Sequence, residues 1–381
     1  MDRLCALQAA GVSIWLDTLS RELLDTGELG RLVDRCYVTG ATSNPTIFAK
    51  AITSSDRYDT QLQRLLATGE RDTRELFFAL ALEDVGRAAD ILRPVYERTA
   101  GNDGYVSIEC TPDLADDTDA TIVQARDLWA RLQRPNTMIK VPATAAGVAA
   151  IERLTAEGVN VNVTLLFSVD RYEQVMDAFQ AGLEARIAAG QPIGQIASVA
   201  SFFVSRVDSK VDARLRADST LRGYAAVANA ARAFATYERV TAATRWQLLA
   251  AAGARRQRPL WASTGTKNHA YSDVLYVESL IARGVVNTMP MATLDAFADH
   301  GTARETLNEA GDTAADVLDR LRGAGVDLNE ITEELEREGV ESFCASYAEL
   351  LACIDQRVER LLQAARTANS FTHGSDRSTN T

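Results

Sequence analysis

The chain has 381 residues, 46% hydrophobic and 24% charged, the composition of a folded globular protein with enough length to bury a large core. A formal charge of -12 and a pI near 4.9 exclude a general binder of phosphate backbones, because nucleic-acid domains present a basic face; any phosphate has to be met by local groups. The opening stretch MDRLCALQAAGVSIWLD lacks a signal-peptide core and no apolar run is as long as a membrane span, so neither secretion nor membrane insertion is expected.

Short apolar runs alternate with helical patterns along the chain. SIWLD (13–17) is followed by CYVTGATSNP (36–45), YVSIE (105–109), TMIKVP (137–142) and VNVNVTLLF (159–167). IASVASFF (196–203), PLWAS (259–263) and VVNTMP (285–290) complete eight runs, the pattern of a closed parallel (β/α)8 barrel. Helices are expected over 46–70, 73–99, 116–134, 145–157 and 222–252, which puts two of them between the second and third strands. Another begins after the N-cap candidate Ser168, with Tyr172, Val175, Met176, Phe179, Leu183 and Ile187 on one stripe. Leu- and Glu/Arg-rich helices at about 301–323 and 328–367 are expected to pack on the barrel. The expectation is therefore one domain over 1–367 and a disordered polar tail over 368–381.

Five cysteines (Cys5, Cys36, Cys110, Cys344, Cys353) without C-x-x-C spacing point to neither a disulfide framework nor a zinc ribbon, and a reducing cytoplasm fits them best. His269, His300 and His373 lack a second ligand at helical spacing, so no metal site is expected. Of 40 basic side chains only Lys50, Lys140, Lys210 and Lys267 are lysines. A lysine kept inside an apolar run then suggests chemistry closed to arginine, whose guanidinium stays protonated. Lys50 and Lys210 fall in helical stretches and are assigned to solvent.

Side chains alternate faces along a strand, so Asn162 and Thr164 point to the barrel lumen about 7 Å apart while Val161, Val163 and Leu165 face the helices. Barrel interiors are normally filled by branched apolar groups, and a polar column suggests a ligand or a buried hydrogen-bond network. The same parity puts Lys140 in the lumen just before Pro142 ends the fourth strand, at the C-terminal mouth, where desolvation favours the neutral amine needed for carbonyl attack. Asp17 and Glu109 end the first and third strands on the same rim, where one can exchange protons while the other orients water. For a phosphate, Ser201, Arg206, Ser263 and Lys267 supply hydroxyls and cations.

The segments SIWLDTLSREL, TGATSNPTIF, IKVPAT with VNVTLLFS, ASFFVSRVD, and LWASTGTKN with VNTMP resemble the transaldolases, in particular the longer bacterial form common in actinobacteria, from Gly11 to about Leu362. The resemblance implies a Schiff-base lysine at Lys140 and proton transfer by Asp17 at the hydroxyl whose deprotonation breaks the carbon–carbon bond. It further implies a water held by Glu109 and Thr164, and Asn44 and Asn162 on the donor's hydroxyls. Ser201 and Arg206 match the phosphate side, Phe203 lies in the same segment, and Lys267 falls near a second phosphate-binding position. A dihydroxyacetone unit would pass from sedoheptulose 7-phosphate or fructose 6-phosphate to glyceraldehyde 3-phosphate or erythrose 4-phosphate, in the pentose phosphate pathway, without metal or organic cofactor.

Two rival readings remain open: a related class I aldolase that releases free dihydroxyacetone, and a non-enzymatic barrel that binds sugar phosphates. The sequence departs from the family pattern at Cys110, usually a small apolar residue, at Asp113, often an arginine, and at Met291, where an acid is expected. An anion at Asp113 near a phosphate-binding mouth would weaken substrate binding or alter specificity, unless Asp113 faces solvent.

Overall fold

A computed structural model describes residues 2–35 and 37–374, with side chains described as far as residue 367. Cys36, the side chain of His373 and residues 375–381 of the expected tail lie outside the described residues. Eight strands close in sequence order into a barrel: β1 (Ser13–Leu16), β2 (Val38–Thr42), β3 (Val106–Glu109), β4 (Thr137–Pro142), β5 (Val161–Leu166), β6 (Ser198–Phe203), β7 (Arg258–Ala262) and β8 (Val286–Met289). Each neighbouring pair is parallel, and β1 closes the ring against β8. Each lies within the run expected of it, apart from β7, which begins one residue earlier at Arg258.

Capping chemistry starts the helices where the barrel needs them. Thr144 Oγ1 accepts from the Gly147 amide at 3.0 Å to open Ala145–Glu157, which ends on Gly158 at φ 92°. Ser168 Oγ accepts from the Arg171 amide at 3.1 Å and opens Val169–Ala188. That helix buries Tyr172, Val175, Met176, Phe179 and Leu183, but its stripe stops short of Ile187, which is 42% exposed in the last turn.

The chain over 46–99 forms three helices, Pro45–Ser54, Asp59–Ala67 and Thr73–Arg98, where two were expected. The break has a local cause: Thr53 and Ser54 donate their hydroxyls back to Ala49 and Lys50 carbonyls, and Ser55 turns extended. Residues 222–252 likewise divide, into Ala225–Ala242 and Thr244–Ala251, with Ala243 extended between them. Helices Arg3–Ala9, Arg21–Asp25, Glu28–Arg35, Leu275–Glu278 and Met291–His300 had no individual expectation, and Ser205–Arg214 was expected only as a helical stretch around Lys210.

The last helices, Leu307–Gly323 and Leu328–Gly374, pack on the barrel's outer layer; the second meets Pro45–Ser54, Thr73–Arg98 and Ser205–Arg214 and continues through Gly374, into the segment expected to be tail. One apolar cluster runs from Leu4 to Ile354 and joins barrel and C-terminal helices. No helix among the described residues is long and apolar enough to cross a membrane.

The lower lumen is closed by Trp15, whose ring lies so close to β2 that a Cβ on Gly40 would stand 2.5 Å from it. Trp15 Nε1 donates to Asp103 at 2.7 Å, and Arg258 donates to Ser13 at 2.6 Å, which in turn bonds Asp103. The upper lumen is left to polar groups.

Candidate active site

Register brings the polar strand ends together. Glu109 on β3 stands beside Lys140 on β4, Lys140 beside Asn162 on β5, and Thr164 beside Pro142. Lys140 is 5% exposed. Its Nζ lies 3.6 Å from Glu109 Oε2 and donates to the Ser43 carbonyl at 3.4 Å, a loose hold on a buried ammonium. Asp17, Asn44, Lys140, Ser201, Phe203, Arg206, Ser263 and Lys267 line one cleft of about 140 Å³ at the C-terminal mouth. This is the end of a barrel where the strand-end loops build ligand sites.

Glu109, Asn162 and Thr164 do not line that cleft; Glu109 is buried beside it against Lys140, and Asn162 and Thr164 are fully buried. Asn162 spans the lumen, donating to Ser107 Oγ at 2.8 Å and accepting from Ser201 Oγ at 2.7 Å, so it serves a buried network that fixes Ser201. Thr164 Oγ1 and Glu109 Oε2 are both buried without a hydrogen-bond partner. Two such groups flanking Lys140 on the neighbouring strands can together hold a water. Asn44 has a structural duty as well: its Oδ1 caps Pro45–Ser54 by accepting from the Ile47 amide at 3.0 Å.

Burial sets the protonation of the two carboxyls. Desolvation pushes Glu109 up to about 7 against the opposing pull of Lys140. Asp17 is also raised by desolvation, offset by Lys140 and by the Thr42 hydroxyl, which donates to it at 3.1 Å. Both acids therefore exchange protons nearer neutrality than an exposed carboxyl does. Burial lowers the Arg206 guanidinium, opposed by Asp17 and Glu109.

Backbone strain gathers at the same mouth. Leu165 and Ser263 hold left-handed conformations, φ 53° and 55°, directly after Thr164 and at the end of β7. The first interrupts the pairing of β5 with β6 and closes the polar column at Thr164. The second accompanies a hydrogen bond of 2.9 Å between Ser263 and Ser205 hydroxyls, joining the β7 end to the start of Ser205–Arg214.

Thr42, Thr288, Gly265, Pro290 and Phe343 also line the cleft and were not singled out in the sequence. Parity with Asn44, two residues on in the same run, could have found Thr42; nothing local marks Phe343. Lys210 corrects its assignment to solvent: it is 20% exposed and ion-paired to Glu334 and Glu338, whereas Lys50 is exposed. Asp113 lies outside the cleft and pairs with Arg74 at 2.7 Å. Desolvation would raise its carboxyl, but the Thr111 hydroxyl and Arg74 outweigh that and hold it low. Its charge is thus spent on Arg74 rather than set against a ligand. Met291 opens the helix Met291–His300, and nothing in the structure explains its presence there.

A model of the transaldolase/fructose-6-phosphate aldolase family matches residues 14–354. The chain is 52% identical to a transaldolase of Acidothermus cellulolyticus over 94% of its own length and 98% of the relative's. It is 51% identical to a transaldolase of Thermobifida fusca, with 92% and 97% covered, and 51% identical to one of Mycolicibacterium smegmatis, with 91% and 95% covered.

Proposed function

The chain belongs to the transaldolase/fructose-6-phosphate aldolase family, whose known chemistry is Schiff-base transfer of a dihydroxyacetone unit between sugar phosphates, and from that premise we propose how its own residues carry the reaction. The observation that carries this reading is the loosely held, buried Lys140, flanked by two carboxyls that titrate high. The ammonium proton passes to Glu109, and neutral Nζ attacks the ketose carbonyl. A water held by Glu109 Oε2 and Thr164 Oγ1 exchanges protons as the carbinolamine forms and loses water, leaving an iminium. Asp17 takes the proton from the donor's C4 hydroxyl; the C3–C4 bond breaks, its electrons enter the iminium, and an aldose leaves.

The three-carbon enamine stays bonded to Lys140 while an acceptor aldehyde adds at the same carbon and Asp17 returns its proton; the new iminium is then hydrolysed by water, which frees the ketose product and the Lys140 amine. Asn44 and Ser201 hold the donor's hydroxyls, with Asn162 fixing Ser201 from beneath, and Phe203 closes the cleft beside them. Arg206, which makes no ion pair among the described residues, faces the substrate phosphate together with the Ser263 hydroxyl, while exposed Lys267 guards the rim. The donors are fructose 6-phosphate or sedoheptulose 7-phosphate, the acceptors glyceraldehyde 3-phosphate or erythrose 4-phosphate. A cytoplasmic enzyme of the pentose phosphate pathway fits the unpaired cysteines among the described residues.

Product analysis separates transfer from aldol release. Fructose 6-phosphate with erythrose 4-phosphate should give sedoheptulose 7-phosphate and glyceraldehyde 3-phosphate. Free dihydroxyacetone as the main product, with or without acceptor, would make the enzyme an aldolase. The binding-only alternative loses its motive with Asp113 paired outside the cleft.

A further inference from the structure

Helix Ser205–Arg214 spaces Arg206, Lys210 and Arg214 four residues apart, on one face. Helix Leu328–Gly374 sets Glu330, Glu334 and Glu338 at the same interval opposite them. The pairing runs antiparallel. Arg214 meets Glu330 at 3.4 Å and Glu334 at 2.5 Å, and Lys210 meets Glu334 at 2.8 Å and Glu338 at 2.5 Å. The next rung belongs to Arg206, and there the acidic series stops. Position 342 is a serine, and Phe343 supplies the contact: the Arg206 guanidinium carbon lies 5.9 Å from the centre of its ring and 5.2 Å from that of Phe203.

Phe343 is 4% exposed and lines the cleft with Lys140, the one cleft-lining residue among the described residues of the C-terminal helix. An aromatic face attracts a cation without neutralising it, whereas a carboxylate at this rung would take the guanidinium fork that a phosphate needs. An aliphatic residue would fill the space and orient nothing.

We propose that Phe343 is a specificity-determining positioning residue: where the helix–helix ladder would next place an acid the chain has Ser342, and the adjoining Phe343 ring instead holds Arg206 over the cleft with its charge left for a substrate phosphate. This rests on the reading of Arg206 as the phosphate-binding cation. The C-terminal helix thereby becomes part of the site that selects phosphorylated sugars, and its ion pairs through Lys210 and Arg214 keep the ring in register.

The test compares wild type, Phe343→Leu, Phe343→Glu, Phe343→Tyr and Arg206→Ala. Fructose 6-phosphate and unphosphorylated fructose serve as donors, and inorganic phosphate as a competitive inhibitor. Phe343→Leu should raise KM for fructose 6-phosphate about 3- to 30-fold, with a much smaller change in kcat, the range expected from losing a partly desolvated cation–aromatic contact. Phe343→Glu should raise it as far as Arg206→Ala does, and inhibition by phosphate should weaken in parallel. Phe343→Tyr should stay near wild type, and turnover of fructose should move by no more than about two-fold in any Phe343 variant. Thermal unfolding decides whether Leu or Met is the apolar replacement used, since one of the two has to keep the fold. An unchanged KM in the apolar and Glu variants, with Arg206→Ala impaired, overturns the role of Phe343 alone. Equal losses on both donors overturn it too, as mere packing. An unimpaired Arg206→Ala places the phosphate elsewhere and removes the premise itself.

Discussion

At the scale of single residues the chemistry depends on how little holds each group. Among the described residues Glu109 Oε2 and Thr164 Oγ1 are buried without a hydrogen-bond partner, the former with only the 3.6 Å ion pair to Lys140, a state that costs free energy unless a ligand or water completes it. Strand parity makes Lys140, Asn162 and Thr164 legible from sequence, because period two admits only two faces and the apolar one is claimed by the helices. What parity cannot show is that Asn162 is occupied by Ser107 and Ser201, or that Asp113 is occupied by Arg74; both depend on strands and helices meeting far from their own segments. The pH dependence of Glu109 follows from its environment. Burial raises its carboxyl to about 7, so the ionised form is lost as pH falls through that value. If the carboxylate is the working base, kcat/KM should drop below pH 7, and Glu109→Gln should abolish that limb while lowering turnover about 100- to 10,000-fold. A limb that persists unchanged in Glu109→Gln belongs to another group.

At the scale of elements the strand runs are legible because each is short, apolar and bounded by turn or capping residues, and the cap at Ser168 identifies the helix that follows β5. Helix number is harder to read where hydroxyl side chains turn back on their own backbone, as at Thr53 and Ser54, because the apolar stripe continues past the break. The lumen floor is another non-local fact. Branched side chains are the ordinary filling; here an indole is wedged against β2, and Gly40 is the complement that admits it. Gly40→Ala would place a methyl group 2.5 Å from the Trp15 ring, which is fully buried and tied to Asp103. Overpacking of this kind destabilises by about 1–3 kcal/mol, so the thermal midpoint should fall by several degrees. An unchanged midpoint would mean that the indole moves freely and is not the barrel's plug.

At the scale of the whole molecule, the eight strands are legible together with the C-terminal helices as one sequential pattern, and the closed barrel turns strand ends scattered from Asp17 to Thr288 into a single rim. The reach of Leu328–Gly374 over that rim is not legible from either helix alone; it becomes so only when the spacing of Glu330, Glu334 and Glu338 is set against that of Arg206, Lys210 and Arg214. Four lysines in a chain dominated by arginine make the central assignment unusually easy to check, since only Lys50, Lys210 and Lys267 compete with Lys140 for an imine. Of these, Lys50 is exposed, Lys210 is ion-paired and Lys267 lies on the outer rim. Borohydride reduction in the presence of fructose 6-phosphate, followed by mass mapping of peptides, reads the carrier directly. A reduced three-carbon adduct on Lys140, absent from Lys140→Arg, is the predicted result; an adduct on any of the other three lysines, or one that survives in Lys140→Arg, would contradict it.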